Sequence, residues 1–346
     1  MDVLLLTHGA GSHCESPLLV AVSTAFAERG VQVVRFNLAF RRARPTGPPS
    51  PSDRARDLAC IRDEVGKIRE TFAPDRLFLG GHSYGGRLAS MAAAEDPGLA
   101  DALLLLGYPL HPPRKPEALR TAHFDSIVTP GCFVSGTRDP FGSRAEFALA
   151  FRGLRASHLA AYVEGAGHEL AKAGRREGAE PDPLSALAEA AADVFLSFVS
   201  EALPARDGPI FGERILGYPY PDRPGSYAVL VDDVGRFGVV DTPEGVFLAG
   251  GGIDPGESPE AAVMRELREE CGLSGEILRP LGRAVEYAVN RAGNQRRRKP
   301  SQYFAVFPGD RIGPGESDHR LVWMTRAEAR SSLSHGSQRW AVDQSG

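Results

Sequence analysis

A chain of 346 residues is long for one compact domain and sufficient for two, because domains cluster at roughly 100–200 residues. Its composition, 42% hydrophobic and 24% charged, is ordinary for a globular protein, and the formal charge of −4 excludes a general attraction to nucleic acid or to an anionic membrane surface. An anionic substrate would therefore have to be bound by local positive charge.

The cysteines and the N-terminus indicate the compartment. The four cysteines are scattered without a C-x-x-C pair, which favours reduced thiols in a cytosol over a disulfide framework or a zinc site. The apolar segment Val3–Leu6 follows Met1 without a basic stretch, and it is too short for a signal sequence or a membrane span. We therefore expect a cytoplasmic protein without a membrane segment.

The first half of the chain alternates short aliphatic segments with longer helical patterns, which is typical of a mostly parallel sheet covered by helices on both faces. The predicted strands are Val3–Leu6, Val31–Phe36, Leu77–Leu79, Ala102–Leu106, Cys132–Val134 and Leu159–Val163. The predicted helices are Ser16–Arg29, Asp53–Phe72, Gly86–Ala94, Ser143–Phe151 and Pro183–Glu201. Between them, Arg41–Ser52 is rich in Arg and Pro and predicts an irregular surface loop near a substrate entrance.

At Leu203–Pro209 the composition changes from an Ala-rich helix to Pro, Gly and charge, so we place a linker at 203–209 between domains at 1–202 and 210–346. The second domain has a different hydrophobic period. Its predicted elements are a hairpin of Ser226–Asp232 and Arg236–Val240, a Gly-rich loop Gly250–Gly256, a helix Pro259–Glu270, strands Gly282–Val289, Tyr303–Phe307 and Leu321–Met324, and a last helix Arg326–Leu333.

Within the predicted helix Pro259–Glu270, three acidic residues have the spacing of a metal site. Glu266, Glu269 and Glu270 stand at i, i+3 and i+4, so their carboxylates share one helix face. Hard oxygen ligands of this kind suit Mg²⁺ or Mn²⁺, and a backbone carbonyl at Gly250 or Gly251 in the preceding loop could add a ligand. A solvated acidic helix face is the alternative interpretation.

The spacing extends over residues 251–273. Gly251 is followed after five residues by Glu257, then after seven by Arg265 and Glu266, and the segment closes with two more glutamates, a glycine and aliphatic positions. Such a coincidence of fixed positions would arise on the order of once in 10⁷ starting points or fewer. We expect Arg265 to face away from the metal and to hold the loop by pairing with Glu257.

This segment resembles the Nudix box, G-x5-E-x7-R-E-U-x-E-E-x-G-U with U aliphatic, at every fixed position. The resemblance covers the second domain and implies an α/β/α sandwich with a mixed sheet. It also implies hydrolysis of a nucleoside diphosphate linked to another moiety, by water activated on Mg²⁺ (or Mn²⁺), with Glu269 and Glu270 catalytic. The second moiety is left open, because Nudix specificity comes from loops outside the box.

Two further segments of this domain are candidates for the site. Glu316 and Asp318 precede a strand and could supply a base or a metal ligand, with an ordinary polar loop as the equal alternative. The basic run Arg296–Lys299 could hold substrate phosphates or an RNA end, and we favour slightly a solvated hairpin tip. There is no other strong sign of nucleic-acid binding.

In the first domain, Gly81–Gly85 reads G-H-S-Y-G between a predicted strand and a predicted helix. At such an elbow a serine hydroxyl is exposed as a nucleophile, and an acid and a histidine follow later in the chain. Asp139 and His168 each follow a predicted strand in that order. Backbone N–H groups at Gly9 or Ala10 and at Tyr84 have the positions expected of an oxyanion hole.

This arrangement resembles small α/β-hydrolases of the dienelactone-hydrolase-like group, and it implies a minimal α/β-hydrolase fold. The chain starts at the strand that ends in His-Gly, so two leading strands of larger relatives are missing, and no insertion is long enough for a cap. The resemblance implies attack by Ser83 on a small or polymeric ester, thioester or amide, with His168 as base and Asp139 orienting it. A fold retained only for binding is the alternative.

Together these patterns predict a bifunctional hydrolase with separate acyl and nucleotide sites. One alternative makes the Nudix-like domain a nucleotide sensor that regulates the serine hydrolase. Another makes the first domain a docking or dimerisation module, and a dimerisation module would make the protein a homodimer.

Overall fold

The computed structural model describes residues 1–170, 183–203, 208–290 and 294–346. By their contacts these form two compact units, Met1–Ser200 with Arg214–Tyr218, and Glu201–Glu213 with Pro219–Gly346. The predicted linker at 203–209 lies partly outside the described residues, which omit 204–207.

The first unit is built on a six-stranded sheet with the order β2-β1-β3-β4-β5-β6, in which every pairing is parallel. The strands are β1 (Asp2–Thr7), β2 (Gln32–Phe36), β3 (Arg76–His82), β4 (Ala102–Leu106), β5 (Gly131–Gly136) and β6 (His158–Val163). The helices are α1 (Pro17–Ala27), α2 (Ala39–Ala43), α3 (Asp53–Phe72), α4 (Tyr84–Glu95), α5 (Arg144–Ala150) and α6 (Pro183–Ala202), with short 3-10 turns at Phe124–Ser126 and Phe151–Gly153. The predicted mostly parallel sheet is confirmed.

Burial explains why these segments fold as they do. Strands β4, β5 and β6 are buried at every residue, as expected of parallel strands that helices cover on both faces. In α6, Phe195 packs against Phe26 and Phe78 with ring centroids 5.6 and 5.3 Å apart. Within the described ranges, α6 has the length and apolar composition of a membrane span, but a buried core helix has the same composition.

The structure corrects the predicted loop Arg41–Ser52 at its start. Helix α2 covers Ala39–Ala43, and both Phe40 and Arg41 are buried. The Phe40 N–H donates to the Asp57 carboxylate at 2.9 Å. This contact with a residue from α3 holds the short helix, and the local Arg and Pro content does not reveal it.

The second unit contains a mixed sheet with the order β10-β9-β8-β13-β12-β7, to which β11 and β14 are added on β8 and β9. Its strands are β7 (Ile210–Ile215), β8 (Gly225–Val231), β9 (Phe237–Thr242), β10 (Gly245–Phe247), β11 (Ala249–Gly252), β12 (Leu273–Val289), β13 (Arg296–Arg311) and β14 (Arg320–Met324). Its helices are α7 (Pro259–Cys271), α8 (Arg326–Ser332) and α9 (Gly336–Gln344). Pairings β13–β8 and β12–β7 are parallel, whereas β8–β9, β8–β11, β9–β10, β9–β14 and β12–β13 are antiparallel.

Helices cover both faces of this sheet. Val263 and Leu267 of α7 share a core with Phe304, while Val342 of α9 shares the opposite core with Tyr303. Adjacent residues of β13 thus enter different cores, as the twofold period of a strand requires. The predicted α/β/α sandwich with a mixed sheet is confirmed.

Two predictions for this unit are wrong in detail, and three elements were missed. The predicted Gly-rich loop begins as strand β11, because its glycines pair with β8. The basic run Arg296–Lys299 belongs to strand β13 and pairs with β12, so it is not a hairpin tip. Strands β7 and β10 and helix α9 have short or weakly periodic sequences and were not predicted.

Candidate active sites

Ser83 lies at a sharp turn between β3 and α4. Its φ of 51° and ψ of −115° are unusual for a residue with a side chain, and such strain at a strand-to-helix turn exposes the hydroxyl. A Cβ atom on Gly85 would lie 2.6 Å from the carbonyl oxygen of His8, so only glycine lets the two backbones approach this closely. The predicted nucleophile elbow is therefore present as geometry.

The residues predicted as acid and base meet Ser83 across the carboxyl ends of the sheet. His168 Nε2 lies 2.8 Å from Ser83 Oγ, and His168 Nδ1 lies 2.9 Å from Asp139 Oδ2 and 3.1 Å from Oδ1. Asp139 follows β5 and is only 7% exposed, while His168 follows β6 and is half-buried. The carboxylate therefore fixes the tautomer that leaves Nε2 able to accept the serine proton.

Two residues that sequence analysis did not assign support this chain of hydrogen bonds. The Phe141 N–H donates to Asp139 Oδ1 at 2.9 Å, and its ring lies 4.1 Å from the His168 ring, centroid to centroid. On the other side, His82 Nε2 lies 3.1 Å from the His168 carbonyl oxygen. Burial lowers the pKa of His82, so this ring acts as a neutral donor to that carbonyl. The position of His82 inside the pentapeptide is a sequence signal that could have found it.

Hydrogen bonds with His8 and Ser12 hold the predicted oxyanion loop at Gly9 and Ala10. The Gly9 carbonyl oxygen lies 2.8 Å from His8 Nδ1 and accepts the Ser12 N–H at 3.2 Å, while the His8 Nε2 atom accepts the Leu38 N–H at 3.1 Å. Burial lowers the pKa of His8 to about 4, so its ring is neutral and donates from Nδ1. These bonds orient the peptide that joins Gly9 to Ala10.

Tyr84 supplies the other predicted donor. It is the first residue of α4, and the N–H of a first helical residue has no acceptor within its helix. Its hydroxyl donates to buried Asp57 at 3.0 Å, which anchors the start of the helix.

The Arg41 side chain further anchors the oxyanion loop. Its guanidinium is buried and donates to the carbonyl oxygens of Ser12 at 2.8 Å, Ala10 at 3.0 Å and Gly47 at 3.1 Å. It thereby joins the oxyanion loop to the segment after α2. Sequence analysis did not find this role, because the Arg41 partners are backbone oxygens and those of Ser12 and Ala10 are distant in the chain.

In the second unit, local signals explain the boundaries of the carboxylate helix α7. The hydroxyl of Ser258 caps its N-terminus by accepting the Ala261 N–H at 3.2 Å, and Pro259 occupies the first turn. Gly272 ends the helix in a left-handed conformation.

Two of the three glutamates, Glu266 and Glu270, lie beside the glycine strand β11. Gly250 donates its N–H to Glu270 at 2.9 Å, and a Cβ atom on Gly251 would lie 2.5 Å from a Glu266 carboxylate oxygen. Glu266 and Glu270 are mostly buried, whereas the side chain of Glu269 is half exposed. The absence of a side chain at Gly251 thus makes room for the Glu266 carboxylate.

Burial dominates the protonation of this cluster. Desolvation raises the pKa of Glu270 to about 7 and also raises the pKa of Glu266. A cation bound between the carboxylates would reverse this cost. Clustered carboxylate oxygens beside a glycine backbone match the hard donors that Mg²⁺ and Mn²⁺ require, so the residues fit the implied ion.

The predicted pairing of Arg265 with Glu257 is present, with nitrogen–oxygen distances of 3.0 and 3.1 Å. The expectation that Arg265 faces away from the cluster is wrong. Its Nη1 atom contacts both Glu266 and Glu269 at 2.9 Å. The long guanidinium reaches along the helix in a way that the angular position of its Cα does not show.

The loop with Glu316 and Asp318 also reaches this cluster, through a residue that sequence analysis did not single out. The His319 ring lies 3.5 Å from the Glu270 carboxylate, 3.2 Å from Glu316 and 2.9 Å from Asp318. Burial alone would lower the pKa of His319, but the surrounding carboxylates outweigh it and raise that pKa. Its spacing three residues after Glu316 is a weak signal in the sequence.

A cavity of about 700 Å³ adjoins the cluster, a volume within the usual range for small-molecule sites. Its lining includes Glu270 and three cationic side chains, Arg223, Arg297 and Lys299. The intervening Arg298 points to the other side of β13 and pairs with Glu201 at 2.9 Å. Because side chains alternate along the strand, part of the basic run lines the cavity and part forms a structural ion pair.

Comparison with known families agrees with this geometry. A family model described as an alpha/beta hydrolase domain matches residues 1–197, and one described as a NUDIX domain matches residues 222–342. Nudix domains generally use divalent metal ions such as Mg²⁺.

Solved structures are similar to each part. Est1E from Butyrivibrio proteoclasticus with ferulic acid bound is 16% identical, with 58% of this chain and 90% of that chain covered and a TM-score of 0.46. A dienelactone hydrolase from Anabaena variabilis is 21% identical over 57% and 86%, with a TM-score of 0.44. A MutT protein from Methanosarcina mazei is 17% identical over 37% and 95%, with a TM-score of 0.31. The assignment rests on the family models: the chain belongs to the α/β-hydrolase family and carries a C-terminal Nudix domain, a combination that supports a bifunctional hydrolase.

Proposed function

We propose that this protein is a Mg²⁺-dependent pyrophosphohydrolase of nucleoside diphosphates linked to another moiety and, at a separate site, a serine hydrolase of small acyl substrates. The observation that carries the first activity is the position of the Glu266 and Glu270 carboxylates beside Gly250 and Gly251, with Glu269 joined to Glu266 through the Arg265 guanidinium. The chain of hydrogen bonds from Ser83 through His168 to Asp139 carries the second.

At the serine site, His168 accepts the proton of Ser83 Oγ as the hydroxyl oxygen attacks the acyl carbon. Asp139 stabilises the imidazolium that forms, and it keeps its own charge. The N–H groups of Ala10 and Tyr84 stabilise the oxyanion. His168 then donates its proton to the leaving group, and water releases the acyl group by the same steps in reverse order.

At the carboxylate site, Glu266, Glu269 and Glu270 would hold Mg²⁺ (or Mn²⁺), with a backbone carbonyl of Gly250 or Gly251 as a further ligand. When bound, the ion would neutralise phosphate charge and activate water. Arg265 holds the carboxylates and the Gly252 carbonyl in position through its five donor contacts, and Glu257 orients its guanidinium. A carboxylate of this cluster, Glu269 or Glu270, would accept the proton of the attacking water.

The two activities are tested with one variant at each site, and both activities are measured in each variant. We expect Ser83→Ala to lose p-nitrophenyl ester hydrolysis by about 10³-fold or more, together with labelling by a fluorophosphonate, while nucleotide cleavage is unchanged. Glu269→Gln should lose cleavage of nucleotides with magnesium and keep the ester activity. ADP-ribose, NADH, ATP and a dinucleoside polyphosphate would be followed by mass spectrometry.

Each alternative has its own outcome. Nucleotide binding without cleavage would replace the Nudix enzyme with a sensor. If the folded protein hydrolyses no ester and its Ser83 forms no fluorophosphonate adduct, the first domain is a binding module.

A further inference from the structure

The cavity beside the carboxylate helix is lined by three cationic side chains, and the carboxylates in its lining, Glu244, Glu270 and Asp318, do not pair with them. Among the described residues, no carboxylate lies within 4.0 Å of the charged nitrogens of Arg223, Arg297 or Lys299. By contrast, Arg298 between them in the chain pairs with both Glu201 and Asp222. Because side chains alternate along strand β13, Arg297 and Lys299 lie at the cavity, whereas Arg298 forms structural ion pairs.

Lys299 is the most desolvated of these cations. It is half-buried and lies opposite Glu286 in the β12–β13 ladder, but the Glu286 carboxylate accepts the Ser337 N–H at 2.9 Å instead. Burial lowers the pKa of Lys299, and the neighbouring Arg223 and Arg297 act in the same direction, while Glu286 and Glu244 partly oppose them. A desolvated ammonium without a close counterion favours an anionic ligand.

A second feature of the lining also indicates a ligand. Gln338 is 1% exposed, and its Oε1 atom accepts the Leu248 N–H at 3.0 Å. Gln338 lines the same cavity, and its Nε2 atom has no hydrogen-bond partner among the described residues. A buried amide donor without an acceptor is costly, and an acceptor on a bound molecule would satisfy it.

We propose that Lys299 and Arg297 bind a phosphate additional to the diphosphate that is cleaved, so that the favoured substrates are nucleoside diphosphate derivatives with a third phosphate. This inference rests on the proposed diphosphate hydrolysis at the adjoining carboxylates. The third phosphate could end a linear chain, or it could be a monoester on a ribose. Arg223 lines the same cavity and adds to its positive field, and Gln338 donates to an oxygen or a ring nitrogen of the ligand.

The test uses pairs of probes that differ by one phosphate. ATP against ADP examines a linear chain, and NADPH against NADH examines a ribose monoester. Binding to the full-length protein is measured by calorimetry with a chelator present, so that the readout does not depend on turnover. We expect the member with more phosphate in at least one pair to bind about tenfold or more tightly, because a charge-assisted hydrogen bond to a buried cation is worth about that factor.

Variants assign the preference to residues. Lys299→Gln should bring the affinities of the favoured pair together, while the affinity for the member with less phosphate stays within about threefold. Arg297→Gln provides a second variant if Lys299→Gln does not fold. Arg311→Gln removes the same charge at the exposed end of the same strand, and it should leave the preference intact.

The outcomes separate the two proposals. Equal binding within both pairs, or a preference that survives both cavity variants, would overturn the phosphate site even if the nucleotides are cleaved with magnesium. A preference that the cavity variants abolish would support the phosphate site even if no nucleotide is cleaved, and in that case the hydrolytic function would fail alone.

Discussion

The serine site and the carboxylate site differ in how far apart their residues lie in the chain. Ser83 and His168 are separated by 85 residues and meet only because parallel strands deliver their loops to one edge of the sheet. Glu266, Glu269 and Glu270 lie within two turns of α7. A site made by one helix is therefore readable from spacing alone, whereas a site made by several loops is readable only through the fold that joins them.

The sites also differ in how their charges are compensated. His168 lies between a hydroxyl and a carboxylate, so donors and acceptors are matched within the protein. The helix carries three clustered carboxylates, and a single guanidinium, Arg265, contacts two of them. The pH and the metal-ion concentration should consequently affect activity at the carboxylate site much more than activity at the serine site.

The largest effect on this comparison should come from Asp139→Asn. An asparagine of the same size favours the wrong tautomer of His168, so ester kcat/KM should fall by about 10⁴-fold while nucleotide cleavage is unchanged. The measurement is steady-state kinetics with a p-nitrophenyl ester. Glu164→Gln is the control, since Glu164 is an exposed carboxylate that contacts Thr137 near the same loop. A loss of less than tenfold in Asp139→Asn would show that the orientation of His168 does not depend on that carboxylate.

Two glycine substitutions should show whether the atoms that a new methyl group meets can move away. In Gly85→Ala the new methyl meets the His8 carbonyl, which is backbone, and we expect thermal and denaturant unfolding to show a loss of about 1–3 kcal/mol or more. In Gly251→Ala it meets the end of the Glu266 side chain, which can move. Stability should then change little while affinity for Mn²⁺ falls about tenfold. Equal destabilisation by both would contradict this difference.

A further effect concerns pH. The pKa of Glu270 is raised to about 7 by burial, so below that pH a proton competes with a metal ion for the carboxylate. Apparent Mg²⁺ affinity should fall by about tenfold per pH unit between about pH 7 and pH 5 and level off above pH 7. Calorimetry in buffers of different ionisation enthalpy would measure both the affinity and the proton released. Ester hydrolysis should show no dependence on magnesium, and an affinity that is constant from pH 5 to pH 8 would exclude this competition.

Local sequence signals predicted the elements that carry the sites. Helix α7 was expected at Pro259–Glu270 and is found at Pro259–Cys271, since a capping serine, an N-terminal proline and a final glycine mark its ends. The supporting residues were not predictable in this way. His82 and Arg41 donate to backbone oxygens of other segments, and the Phe141 ring packs against His168, and no spacing rule describes such contacts. Strand β10 and helix α9 were missed because a short edge strand and a weakly periodic helix depend on packing.

The amino-acid sequence by itself determined the two hydrolase-like folds, the helix that carries Glu266, Glu269 and Glu270, and the elbow around Ser83. These features follow from hydrophobic period, capping residues and glycine, which act over a few residues. Only the tertiary structure decided that Arg265 bridges the carboxylates, that His319 joins them, and that Lys299 faces a cavity while Arg298 does not. Such contacts depend on how strands and loops distant in the chain are brought together, and on which face of a strand each cation occupies.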